Sequence, residues 1–365
     1  MKIAIVTITE GTNYGNRLQN YAVQKSIEEL GIEVETLINK SGTESKNVSF
    51  LFKIKRKLSR IKNYLINARF KKIINDRNEA FKIFNNENIN FSSIVINNDY
   101  SDNKINSIYY SFVCGSDQIW NPEFRENANA NFLQFANEEK RIAFCPSFGV
   151  SEIPGNRKEE YSKYLKGFSK LSVREDDGAK IINSLTRQKA EVLIDPTMLL
   201  DAKEWDKVSK KPEQIKEGEK YILNYFLGEL SDSRKSEIER IAKENNCKII
   251  NIMDKRDPFY VSGPSEFLYL EKNAFLICTD SFHSSVFAIL YNRPFIIFDR
   301  EQEGLQNMNS RIDTLIDKFK LKNRRFSGSI TEDNLNHDYT EAYKILEKER
   351  EKSLNFLKKA LDIKE

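Results

Sequence analysis

Residues 2–30 read KIAIVTITEGTNYGNRLQNYAVQKSIEEL, and the reading of this stretch decides the fold. The run 3–8 is apolar except for Thr7, the pattern of a buried strand bounded by turn residues. Gly11, Asn13 and Gly15 then allow a tight loop whose backbone can approach a ligand closely. From Asn16 to Leu30 the spacing of Leu18, Tyr21, Ala22, Ile27 and Leu30 predicts a helix with one buried face, stopped by Gly31. A loop that ends at a helix N-terminus offers unpaired N–H groups and partial positive charge, which suits an anion. The segment is neither a Walker loop nor a GxGxxG fingerprint, so a strand-to-helix turn without a ligand is the other reading.

The same alternation continues along the chain. Apolar runs at 33–38, 109–114, 141–145, 169–173 and 191–194 are separated by helical stretches, which argues for a parallel sheet covered by helices. A second series begins near residue 219, with strands expected at 220–226, 247–252, 274–278 and 294–298 and helices at about 232–245, 264–272 and 282–291. The expected organisation is an N-terminal α/β domain over 1–205, a polar linker within 203–218, a second α/β domain over 218–330 and a charged amphipathic helix over 338–365. The loops GTNYGN and CGSDQIWN fall at carboxyl ends of strands, where open α/β sheets place their ligands.

Charge does not point to nucleic acid, because 58 basic residues are nearly matched by 54 acidic ones. The opening MKIAIVTITEG reads as a strand rather than a signal peptide, and no apolar run is long enough to span a bilayer. Cys114, Cys145, Cys247 and Cys278 form no CxxC pair and lie in or beside apolar runs, as reduced thiols of a cytosolic protein do. The segment 51–72, part of a helical insertion over about 50–90, repeats Leu51, Ile54, Leu58, Ile61 and Leu65 at helical spacing among many Lys and Arg. A basic amphipathic helix of this kind either makes peripheral contact with an anionic membrane or packs its stripe on the protein body.

The richest loop is 115–122, GSDQIWNP. Gly115 and Ser116 shape it, Asp117 is a base candidate, and Trp120 is suited to stack on a sugar ring; helix capping and a core role are the plain alternatives. His283 lies just after a strand and near the start of a helix, a position that suits acid–base work near neutral pH, with Asp280 a candidate to orient its ring. Arg174, at the end of LSVRED, and Arg311, at the start of SRIDTLIDKF, carry forks that match carboxylate and phosphate. The unit IDPTMLL, residues 194–200, reads as a structural turn near the cleft.

Together GTNYGNRLQNYA, VCGSDQIWNP, CPSFG, LSVRED, VLIDPTMLL, TDSFHSSVFAILYNRPF and NSRIDTL resemble the polysaccharide pyruvyl transferase family, in the family's order and over most of 1–320. The resemblance implies a GT-B-like fold, with two Rossmann-like domains facing across a cleft. It implies transfer of a pyruvyl group from phosphoenolpyruvate to two hydroxyls of a sugar, in cytoplasmic assembly of a cell-surface polysaccharide such as a capsule. The acceptor is then a sugar or lipid-linked oligosaccharide, phosphoenolpyruvate is a donor substrate rather than a cofactor, and no metal is required. His283 matches the family's histidine and Arg174 the arginine of its VR[DE] motif. In this reading His283 is the acid and Asp117 the base, with Asn13, Gly15, Asn16, Gly115, Ser116, Trp120, Arg174 and Arg311 in substrate binding. Relatives carry Arg-Leu before the histidine, where this chain has Ser281 and Phe282. That departure keeps a GT-B glycosyltransferase using a nucleotide sugar, and a non-catalytic glycan-binding protein, as alternative readings.

Overall fold

The computed structural model describes residues 1–41, 69–123, 128–300 and 310–363. One parallel sheet has seven strands: β1 (Lys2–Val6), β2 (Glu33–Asn39), β3 (Phe91–Ile96), β4 (Ser111–Cys114), β5 (Arg141–Ala143), β6 (Lys170–Val173) and β7 (Glu191–Val192). A second has four: β8 (Tyr221–Tyr225), β9 (Lys248–Asn251), β10 (Leu276–Thr279) and β11 (Phe295–Ile297). Their orders are β3-β2-β1-β4-β5-β6-β7 and β11-β10-β8-β9. In each sheet the first strand lies inside and the chain winds off to both sides, so the order reverses beside β1 and beside β8. Crevices at such reversals, outside the carboxyl ends of the strands, are where these sheets bind ligands. The α/β, GT-B-like arrangement of two Rossmann-like units facing across a cleft is therefore present.

The strand β3 was not foreseen. Its sequence, FSSIVI, is flanked by asparagines that favour turns and directly follows the helical insertion expected over about 50–90. The helix Lys71–Asn88 that feeds it buries Arg77, Phe81 and Phe84 in the body of the protein. Of the basic segment 51–72, residues 51–68 lie outside the described residues, and Lys71 and Lys72 are exposed.

The two sheets share one apolar layer. Tyr14, on the helix after β1, stacks on Phe267 of the second unit with centroids 4.3 Å apart. Trp205 presses its edge-on partner Phe287 at 5.0 Å and donates from Nε1 to the Thr197 carbonyl at 3.1 Å. Aromatic pairs of this kind contribute about 0.5–1.5 kcal/mol beyond area burial. The segment expected as a polar linker, 203–218, is thus pinned, with Trp205, Val208 and Ile215 all buried. All four cysteines are free; Cys247 is half-buried and the others are buried. No helix among the described residues is long and apolar enough to cross a membrane.

The helix Thr340–Ala360 clamps both units. Near its start the Tyr343 hydroxyl donates to the Ile289 carbonyl at 2.8 Å, beside the second sheet. Midway, Arg350 donates to the carbonyls of Met198 and Leu200 at 2.6 and 3.0 Å. At its end Phe356, Leu357 and Ala360 join Ile3, Ile5 and Phe144 in the core under the first sheet. Leu357→Ala is expected to destabilise the protein by about 2–5 kcal/mol, the cost of deleting a fully buried leucine. Urea unfolding monitored by circular dichroism measures it, and a loss under about 0.5 kcal/mol would mean that the helix end is not part of the core.

Candidate active site

The loop after β4 is shaped by backbone constraints. Gly115 has φ +121°, and a Cβ there would meet the Phe144 carbonyl oxygen at 2.3 Å, so only glycine lets the two strand ends pass. Asp117 also has a left-handed φ of +63°, and its carbonyl accepts from the Ser147 and Ile119 amides at 2.7 and 2.8 Å. These bonds fix the turn that presents the Asp117 side chain. Chain ends after β6 and β7 deliver Arg174 and Asp195 to the same place. From the second sheet, β10 runs into the helix Phe282–Leu290, whose second residue is His283.

Arg174 joins these groups. Its Nη1 lies 2.5 Å from Asp195 Oδ2 and 3.4 Å from His283 Nε2, and its Nη2 lies 3.3 Å from Asp117 Oδ1. The guanidinium also covers the Phe282 ring, 4.5 Å from its centroid. His283 Nε2 is 3.6 Å from Asp195 Oδ2. Asp195 is fixed from behind by the Thr197 amide and hydroxyl at 2.9 and 2.6 Å, and Ser116 Oγ reaches its Oδ2 at 3.1 Å. The other face of the imidazole rests on Gly15, where a Cβ would come within 2.0 Å of Nδ1. Two carboxylates, a guanidinium and an imidazole thus meet at the seam between the sheets.

Burial alone would raise the Asp195 and Asp117 carboxyls, but Arg174 and His283 outweigh it and hold both below the usual carboxylate range. Both are therefore ionised at neutral pH. Burial pushes Glu175 up, against the pull of Arg174 and Arg311. Its Oε1 accepts from Ser147 Oγ and the Phe148 amide at 2.9 and 2.8 Å. Arg311, the second residue of the helix Ser310–Lys318, is only 8% exposed and has no ion pair or hydrogen bond among the described residues. Burial, then the neighbouring Arg174, lowers its pKa to about 10, while Asp117 and Glu175 pull the other way. A buried guanidinium in that condition is stabilised by any anion that reaches it.

The expected site residues divide into two groups. His283, Asp117, Arg174, Arg311 and Ser116 belong to one charged cluster. Trp120 does not line it: the indole is fully buried, stacked on Phe132 at 4.8 Å with Nε1 on the Asn131 carbonyl at 3.0 Å, so it is core and no platform for a sugar. Gly115 acts through backbone geometry. Asn13 caps the first helix, accepting from the Asn16 amide at 3.1 Å, and Asn16 is itself buried. Gly15 seats the histidine. Arg174 offers no free fork, because both terminal nitrogens are on carboxylates. Asp280 does not orient His283; it accepts from the Leu227 and Gly228 amides, both at 2.8 Å, and from Arg300 at 3.0 Å. The carboxylate beside the imidazole is Asp195, whose Asp-Pro-Thr setting signals a turn and hides its reach. No group of three or more His, Cys, Asp or Glu arranged for a metal occurs among the described residues.

The chain has two histidines, so the seat of His283 is directly observable. Gly15→Ala is expected to shift one imidazole signal in the NMR spectrum and leave that of His337, which bonds the Asn292 carbonyl at 2.9 Å, in place. Two unmoved signals would show that Gly15 does not support the ring.

No curated protein matches the chain. Among solved structures, UDP-GlcNAc 2-epimerase from Neisseria meningitidis bound to UDP-GlcNAc is similar at 12% identity, covering 96% of this chain and 100% of that one, with a TM-score of 0.45. MurG from Acinetobacter baumannii is similar at 10% identity, covering 96% and 94%, with a TM-score of 0.40. A glycosyltransferase from Rickettsia africae is similar at 14% identity, covering 100% and 99%, with a TM-score of 0.45. The profile of the polysaccharide pyruvyl transferases matches residues 13–302, from the cap of the first helix past the histidine. With most of its length matched in this way, the chain belongs to the polysaccharide pyruvyl transferase family and is a transferase.

Proposed function

We propose that this protein moves the pyruvyl group of phosphoenolpyruvate onto two hydroxyls of a sugar, forming a cyclic ketal and releasing phosphate, during assembly of a cell-surface polysaccharide. The observation that carries the reading is Arg311, buried beside the Arg174 cluster and without an ion pair or hydrogen bond among the described residues. Phosphoenolpyruvate brings a carboxylate and a phosphate of roughly −1.5 to −2 charges. Such a ligand needs buried cations, and Arg311 supplies one that neither a carboxylate nor a carbonyl holds among the described residues. It takes the part that relatives give to the arginine before their histidine, where this chain has Ser281.

The chemistry then divides among the clustered residues. The donor's methylene carbon takes a proton and becomes a methyl group, while a sugar oxygen bonds to the neighbouring carbon. The second sugar oxygen displaces phosphate from that carbon. Two hydroxyl protons are lost, one balancing the proton given to carbon and one leaving with phosphate or solvent. His283, with Nε2 beside Asp195, is the group placed to deliver the first proton. Asp117, kept ionised by Arg174, is the proposed acceptor of a hydroxyl proton. Arg174 positions these groups rather than gripping the donor. Neither a metal nor a further cofactor enters the scheme. The proposed setting is the cytoplasm, at the inner membrane face where the acceptor is lipid-linked; contact through 51–72 belongs to this proposal.

Phosphate release from phosphoenolpyruvate with a panel of glycan acceptors tests the reading. His283→Asn is expected to lower turnover by about 10²-fold or more with the fold intact. Turnover near that of the wild type would remove the imidazole from the chemistry, and nucleotide release from a nucleotide sugar would favour a glycosyltransferase.

Arg311→Gln separates binding from positioning. The donor KM is expected to rise about tenfold or more, as loss of a charge-assisted contact implies. Arg174→Lys, which cannot hold two carboxylates at once, is expected to lower kcat with the donor KM near the wild-type value. The opposite pattern would return the donor's anion to Arg174.

A further inference from the structure

A cavity of about 670 Å³ lies outside the carboxyl ends of β8 and β9, next in the sheet to β10, which leads into the helix of His283. That size falls within the range of about 300–1,000 Å³ usual for small-molecule sites. Asn224, the next-to-last residue of β8, lines it and is 9% exposed. Its Nδ2 donates to Asn251 Oδ1 at 2.9 Å, whereas its own Oδ1 is buried with no hydrogen-bond partner. An amide carbonyl in that state lacks a hydrogen bond that an O–H or N–H in the cavity supplies once the side chain turns toward it.

The rest of the lining defines the ligand class. Phe226, Ile249 and Met253 provide apolar surface. Each cation of the lining is matched: Lys235 pairs with Asp232 at 3.0 Å and Arg256 with Asp254 at 2.7 Å. Glu229 and Glu239 also line the cavity, and neither has a cationic partner among the described residues. The unmatched charge is negative, which disfavours a phosphate or a nucleotide. A neutral sugar fits, because its hydroxyls donate to carboxylates and to the amide carbonyl while its C–H face covers apolar surface.

The cavity also adjoins the groups that seat His283. Gly228 of its wall donates from its amide to Asp280 Oδ2 at 2.8 Å, and Asp280 precedes His283 by three positions. On the other side, the sulfur of Met253 is 3.7 Å from Arg77 Nη2, and Arg77 Nη1 donates to the Tyr14 hydroxyl at 2.7 Å. Tyr14 directly precedes Gly15, on which the imidazole rests. We propose that this cavity is the acceptor subsite, holding a neutral sugar ring of the glycan beside the reaction centre. The assignment of that sugar as acceptor rests on the proposed pyruvyl transfer; the binding itself does not.

An array of immobilised neutral mono- and oligosaccharides, probed with the full chain and no donor, tests the inference. The wild-type protein is expected to retain a subset of glycans. Glu229→Ala with Glu239→Ala, two exposed changes that leave the core untouched, should weaken retention about tenfold or more, and Asn224→Ala should do the same. Binding of phosphoenolpyruvate, measured by titration calorimetry on the same variants, should be unchanged. Failure to retain any neutral glycan, or equal retention by the variants, would overturn the inference. Competition by UDP that these variants abolish would overturn it in favour of a nucleotide site. Because no donor is present, a glycan result stands even where phosphoenolpyruvate fails to bind.

Discussion

A single guanidinium, that of Arg174, is shared by groups from both halves of the molecule. It is almost completely buried, a condition that is costly for a charge unless it is paired. Asp195 and Asp117 pair with its two terminal nitrogens from the ends of other strands, His283 approaches from the second sheet, and Nε has no hydrogen-bond partner among the described residues. Removing Arg174 would leave two buried carboxylates without their shared partner, so the cluster joins the two sheets beside the aromatic layer. Gly15 completes the arrangement by having no side chain where the imidazole must lie.

That constraint explains a division of labour across the cleft. The guanidinium that resembles a donor clamp in sequence is already occupied, and Arg311 is the one proposed for an incoming anion, with no ion pair or hydrogen bond among the described residues. The carboxylates stay ionised because Arg174 and His283 outweigh their burial. Among the described residues, positive charge without an ion pair therefore lies at Arg311, and negative charge without one lies at Glu229 and Glu239 in the cavity of the second sheet. The proposed anionic donor and neutral acceptor match this difference in charge.

Much of the fold was legible because apolar runs bounded by turn residues are a local signal. Ten of the eleven strands lie within or close to the runs read from the sequence; β3 did not stand out because asparagines crowd both of its ends. At the site, His283, Asp117, Arg174 and Arg311, singled out in the sequence by residue type, come together in one cluster. What sequence could not carry was partnership. Asp280, near His283 in the chain, serves the turn at Leu227 and Gly228, whereas Asp195, far away in the chain, sits by the ring. Trp120 looked like a sugar platform because its loop is rich in polar groups, yet its indole turns inward onto Phe132. Spacing reports which face of an element a residue occupies; it does not report which buried charge requires it.

The central claim is that one carbon of phosphoenolpyruvate ends up bonded to two oxygens of a sugar. Phosphoenolpyruvate labelled with ¹³C at that carbon, incubated with the enzyme and acceptor glycans, reports it directly by NMR of the product. The account requires the label to appear as a ketal carbon on the glycan, with one inorganic phosphate released for each ketal formed. Label recovered only as free pyruvate, or retained in unreacted donor while a nucleotide sugar is consumed, would contradict it.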